Sequence, residues 1–143
     1  MCRDHRLLLA TSFMIFGLCP LAAAANAPWT GAVISRTLGK PLSVTSIGQG
    51  RSSLFYPNVG ARQFLPPGVV ARYPAGLLKH ATVDIRFQID AADRCVGAES
   101  ALDESALDAR LFANAPDLAA LLPKLRQEAL GSVATTLAGV CHQ

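Results

Sequence analysis

The sequence of 143 residues predicts an α+β fold, a small antiparallel sheet or hairpin packed against two or three C-terminal helices and preceded by an irregular N-terminal segment. Three observations carry that reading. Val83, Ile85, Phe87 and Ile89 alternate with Asp84, Arg86, Gln88 and Asp90, the period of a strand with one dry face and one wet face. Leu118, Leu121, Leu122, Leu125, Ala129 and Val133 recur at three and four residues, the stripe of an amphipathic helix. Cys95 and Cys141, one on either side of that helix pattern, are placed to clamp the tail onto the strand.

Residues 1–25 have the layout of a secretory signal peptide: Arg3 and Arg6, an apolar core from Leu7 to Leu18, and Ala-x-Ala triplets near Ala25 or Ala27. The alternative is an uncleaved anchor, since residues 7–25 carry no charge and approach the roughly 20 residues that span a bilayer. Pro20 and the alanine run favour cleavage. Lipidation is set aside because Leu18, not a small residue, precedes Cys19. The expected location is therefore periplasmic or secreted, with inner-membrane anchoring by residues 7–25 as the alternative. Removal of the leader takes Cys2 and Cys19 with it, and in an oxidising compartment the remaining pair most simply forms one disulfide. A metal site or redox pair would need CxxC spacing or clustered histidines, and neither is present.

Residues 26–70 form a basic stretch punctuated by glycine and proline, leaving room for short strands at Ala32 to Thr37 and Leu42 to Ile47. Gly48 to Ser53, GQGRSS, lacks the third glycine of a dinucleotide loop and the lysine of a P-loop, and reads as a turn. Trp29, Phe55, Tyr56 and Phe64 serve either as packing beneath this segment or as an aromatic ligand surface. Leu65-Pro66-Pro67-Gly68 marks a boundary or an extended linker.

Residues 71–143 are expected to form the small α+β domain. Tyr73-Pro74 enters it in extended form, Ala75 to His80 makes one or two helical turns, and the alternating strand follows. Asp90 to Asp93 turns the chain into a short return strand at Arg94 to Val96. Ser100 has the spacing of an N-cap for a helix over about Ala101 to Phe112. Asn114-Ala-Pro-Asp117 looks like a second helix start, Pro123 either kinks the helix or opens a new one, and Gly131-Ser132 is a further candidate break.

Charge is unevenly distributed. Arg36, Lys40, Arg51, Arg62, Arg72 and Lys79 precede Asp84 with no acid among them after residue 25, whereas nine acids face five bases from Asp84 onward. The basic half is expected either to neutralise the acidic one or to present a basic face to an anionic surface or acidic partner. Nucleic acid is not expected, because the bases are neither dense nor interleaved with aromatics.

No catalytic motif stands out. There is no GxSxG, no HExxH and no cysteine-nucleophile pattern. His80 reads as a surface residue, and His142 lies at a frayed end. Asp84, Asp90, Asp93, Glu99, Asp103 and Glu104 include no pair that spacing places across a scissile bond. The chain is expected not to be an enzyme and to need neither cofactor nor metal.

Tyr73-Pro74, the run Val83-Asp-Ile-Arg-Phe-Gln-Ile-Asp90, Asp93-Arg94 and Leu102-Asp103-Glu104-Ser105-Ala106-Leu107 together resemble the C-terminal domains of the TonB family. Those domains often open with a Tyr-Pro step and a short helix, continue with a VxVxFxID strand and a turn ending in Gly-Arg, where this chain has Asp93-Arg94, and then open an alanine-rich helix with Leu-Asp. The resemblance implies a non-catalytic interaction module of the bacterial envelope whose strand edge accepts an extended segment of a partner protein. On that basis the binding residues are expected along Val83 to Asp90, with Asp84, Arg86 and Gln88 on the wet face. The alternative is a disulfide-clamped protein of unrelated fold that binds a ligand or anionic lipid through its basic half.

Overall fold

A computed structural model describes residues 28–102 and 113–141. The fold is α+β, a four-stranded antiparallel sheet with helices on one face. In chain order the elements are α1 (Gly31–Leu38), β1 (Ser43–Gly48), β2 (Arg51–Gly60), a 3-10 turn (Ala61–Phe64), α2 (Pro67–Arg72), α3 (Ala75–Leu78), β3 (Thr82–Ile89), β4 (Cys95–Ala101) and α4 (Pro116–Val140). The strands lie side by side in chain order, β1-β2-β3-β4, each antiparallel to its neighbour.

The alternating run forms β3 as its pattern requires. Val83, Ile85 and Phe87 are fully buried and Ile89 nearly so, because successive side chains leave a strand on opposite faces. They meet Leu54 and Tyr56 from β2, and Leu122, Leu125, Ala129, Val133 and Leu137 from α4, in one hydrophobic cluster. Phe87 is its centre. The Tyr56 ring meets it edge-on at 5.9 Å, a geometry that suits the ring quadrupoles, and the Trp29 ring lies 6.2 Å away, tilted by 35°. Cys95 and Cys141 form the expected disulfide, joining the start of β4 to the residue after α4.

Several elements differ from expectation. Ala32 to Thr37 lies in a helix, not a strand. The Thr30 Oγ1 accepts from the Val33 backbone N–H at 3.2 Å, Ile34 is buried, and Gly39 ends the helix at φ 83°, so end-caps and a single anchor outweigh the strand preference of β-branched residues. Arg51–Gly60 forms the longest strand of the sheet, so that of the turn expected over Gly48 to Ser53 the last three residues already belong to a strand. It accommodates Pro57 at a register shift between Tyr56 and Val59, the kind of place where a strand tolerates a residue with no N–H. Pro67 opens α2 instead of continuing a linker, since its missing N–H is one the first turn leaves unused. Ser100 is not a helix cap. It pairs with Ile85 inside β4, and Ala101 pairs with Asp84; the rest of the helix expected to Phe112 falls outside the described residues. Finally, α4 runs unbroken through Pro123 and Gly131, because its six buried side chains hold both halves against the sheet.

Because β1 and β2 come from the basic segment and β3 and β4 from the part after it, the two share one sheet and one core. The β2–β3 ladder joins them directly, with Leu54 paired to Phe87 and Tyr56 to Ile85.

Candidate functional site

The sheet order decides which main-chain groups can bind anything. β3 lies between β2 and β4 and is paired along both sides, so the expected docking edge along Val83 to Asp90 is not an edge. Alternation of dry and wet residues reports one covered face; it does not distinguish a central strand from an outer one.

Asp84, Arg86 and Gln88 do share the open face of the sheet, and each has a partner within the chain. The Asp84 Oδ1 accepts from the Asn58 backbone N–H at 2.9 Å, closing the register shift of β2, where Asn58 has φ 52°. The Arg86 guanidinium lies 5.3 Å from the centre of the Phe55 ring, a cation–π contact. The Gln88 side chain lies over Gly97, where a Cβ would stand 3.6 Å from it. These three residues stiffen the open face.

Of the other carboxylates expected as chemical candidates, Asp90 and Asp93 are also occupied, and Glu99 is exposed on β4 opposite Arg86. Asp90 accepts from the Ala92 and Arg94 backbone N–H groups, each at 2.9 Å, and pairs with the Arg94 guanidinium at 2.8 Å. The Arg94 backbone and side-chain donors hold its carboxyl below the ordinary range. Asp93 accepts from the Ala32 backbone N–H. His80 is half-buried, not fully exposed. Asp103, Glu104 and His142 lie outside the described residues. Among the described residues no group of three or more metal-ligating side chains comes together, and no helix is long and apolar enough to cross a membrane.

The outer strands are β1 and β4. The start of β4 is engaged: the Cys95 N–H donates to the Trp29 carbonyl at 2.9 Å, and Thr30 bridges to Arg94. β1 is different. All six of its residues are exposed, and among the described residues only β2 pairs with it. Val44 is 62% exposed, Leu42 just ahead of the strand 71%, and Ile47 47%, so apolar side chains project along a row of main-chain groups that lacks a second neighbour. No charge and no proline interrupts Leu42 to Gly48, although such residues commonly blunt exposed edges. The reason for the exposure is local. Val44 pairs with buried Leu54 and thus faces the helical layer, but α1 stands off from it.

Between α1 and β1 lies a hollow of about 400 Å³ lined by Gly31, Ser35, Val44, Leu54 and Ile89 among others. A second, of about 580 Å³, lies at the opposite end, lined by Leu38, Lys40, Leu42, Tyr56 and Val59 among others. A strand laid beside β1 could direct alternate side chains toward both. The sequence signal for this edge was the uncharged run SVTSIG between two turn motifs, which shows a strand but not that it lies outermost. Comparison of the chain with family models, with curated proteins and with solved structures finds no match.

Proposed function

We propose that the chain is an exported bacterial envelope protein acting as a non-catalytic interaction module, similar in mode to TonB-family C-terminal domains, that accepts an extended segment of a partner protein as a fifth strand beside β1. The single observation that carries the reading is the unblunted edge, with Leu42, Val44 and Ile47 exposed along a strand that, among the described residues, is paired on one side only. Export to the periplasm or beyond rests on the leader pattern of residues 1–25 and is supported by the Cys95–Cys141 disulfide. The module needs no cofactor. Its partners are protein segments and not nucleic acid.

The second reading, an anionic lipid surface, is favoured by the exposure of Arg36, Lys40, Arg51, Arg62, Arg72 and Lys79. The two separate in one experiment. Partners captured from envelope extracts by the oxidised protein are tested by amide exchange on the complex. Protection of Ser43 to Gly48 is expected; a partner that protects other segments and leaves β1 exchanging overturns strand addition. Flotation on anionic vesicles that fades with added salt would favour the lipid reading.

A further inference from the structure

Basic residues bracket the free edge. Lys40 stands three positions ahead of Ser43, and Arg51 pairs with Gly48 at the other end of the β1–β2 hairpin. Both are exposed, and neither forms an ion pair with a described residue. Between them the strand is uncharged, and its six residues extend over about 20 Å. Asp90 and Asp93 line the hollow between α1 and β1; Asp90 is paired with Arg94, and Asp93 accepts from the first turn of α1. The edge therefore offers an uncharged strand carrying Val44 and Ile47, with Leu42 just ahead of it and a positive charge at either end.

From this we infer that the segment β1 accepts is acidic at both ends, an extended run of about eight residues with apolar side chains at alternate central positions and a carboxylate toward each of Lys40 and Arg51. The inference rests on the strand-addition reading. The alternating side chains on the helical side would lie over Leu42 and Val44, and toward the hollow between α1 and β1. A second copy of this chain fits less well. Antiparallel pairing of β1 with itself about its midpoint sets Lys40 of one copy toward Arg51 of the other, like charge against like.

The test selects a library of random nine-residue peptides against the full chain with Cys95 and Cys141 oxidised. An enriched peptide is then synthesised with its end residues all Glu, all Gln or all Lys. The Glu form is expected to bind about 3–10-fold more tightly than the Gln form at low salt, with the difference shrinking at high salt, and to protect Ser43 to Gly48 from amide exchange. The exposed double variant Lys40→Glu/Arg51→Glu is expected to reverse the order in favour of the Lys form. Equal binding of the three forms with β1 protected overturns the acidic preference and leaves strand addition standing. Enrichment of no peptide, or of peptides that leave β1 unprotected, overturns both. A concentration-dependent dimer abolished by Val44→Lys overturns the inference in favour of self-pairing, and binding to anionic vesicles without peptide binding does so in favour of lipid.

Discussion

Asp93 caps a helix that begins far from it in sequence: its Oδ2 accepts from the Ala32 backbone N–H at 3.2 Å across a separation of 61 residues, while its carbonyl accepts from the Gly31 N–H at 3.0 Å. The tip of the β3–β4 hairpin thus completes the N-terminus of α1, placing a carboxylate where the helix dipole favours one. Two features make the arrangement specific. Asp93 has φ 63°, a conformation open mainly to glycine, asparagine and aspartate, and a Cβ at Gly31 would collide with the Asp93 carboxylate.

Asp93→Ala is therefore expected to lose about 1 kcal/mol in urea denaturation, the usual worth of a cap, whereas Asp93→Asn, which keeps both acceptor and backbone preference, should lose much less. Gly31→Ala should resemble the alanine variant because it pushes the carboxylate away. Equal losses in Asp93→Ala and Asp93→Asn would show that the side-chain acceptor contributes nothing.

The disulfide closes a loop with a sequence separation of 46. On the chain-entropy model that restricts the unfolded state by about 4 kcal/mol. It also stands beside the strap in which the Trp29 N–H donates to the Val140 carbonyl at 2.7 Å and the Trp29 carbonyl accepts from Cys95. The Cys95→Ser/Cys141→Ser variant should lose stability on that scale, and Trp29 fluorescence should report loosening of the strap before β3 unfolds. Coincident transitions by fluorescence and circular dichroism in the variant would argue against a locally loosened strap.

How much of this was legible in the sequence depended on whether the deciding signal was local. The pattern of β3 survives because Val83 through Ile89 alternate without a break, and the cysteine pairing followed from the two cysteines beyond the leader expected at residues 1–25. α1 was missed because its β-branched residues read as a strand, and beyond the local caps at Thr30 and Gly39 what holds it, the Asp93 cap and the burial of Ile34, comes from residues distant in the chain. β2 was obscured by Pro57, whose tolerance depends on a register shift visible only against β3. The edge expected along Val83 to Asp90 is an interior strand, a difference the sequence hides because Asp84, Arg86 and Gln88 would alternate with the same apolar residues whether β3 lay inside or outside.

Acid sensitivity should centre on Asp90. Donation from the Arg94 backbone and side chain, with a further bond from Ala92, lowers its pKa below the ordinary 3.8. A carboxyl depressed in the folded state adds stability that is present above its unfolded value and is lost as pH falls through the folded one. Asp90→Asn removes that ionisation, so its Tm should change less than the parent's below about pH 4. Parallel Tm curves through the acid range would remove Asp90 from the account.

At the alkaline end the corresponding group is Tyr73. Its ring is 8% exposed, and its hydroxyl donates to the Glu128 Oε1 at 3.1 Å while Arg72 donates to Oε2 at 3.1 Å, pinning the junction of α2 and α3 to the middle of α4. Burial first, and then the bond to the Glu128 carboxylate, raise the Tyr73 pKa above its ordinary 10.0. The sign is opposite to that of Asp90: the contribution is complete below the unfolded value and disappears as pH rises through the folded one. Tyr73→Phe keeps the ring in the core and deletes the donor, so it should cost about 1–2 kcal/mol near neutral pH and lose less than the parent on titration past the tyrosine range. Glu128→Gln should bring the Tyr73 phenolate absorbance transition back toward its ordinary position. An unshifted transition in that variant, with Tyr73→Phe losing stability in parallel with the parent, would mean that the ring's packing alone fastens this junction and that the Tyr73–Glu128 bond is incidental.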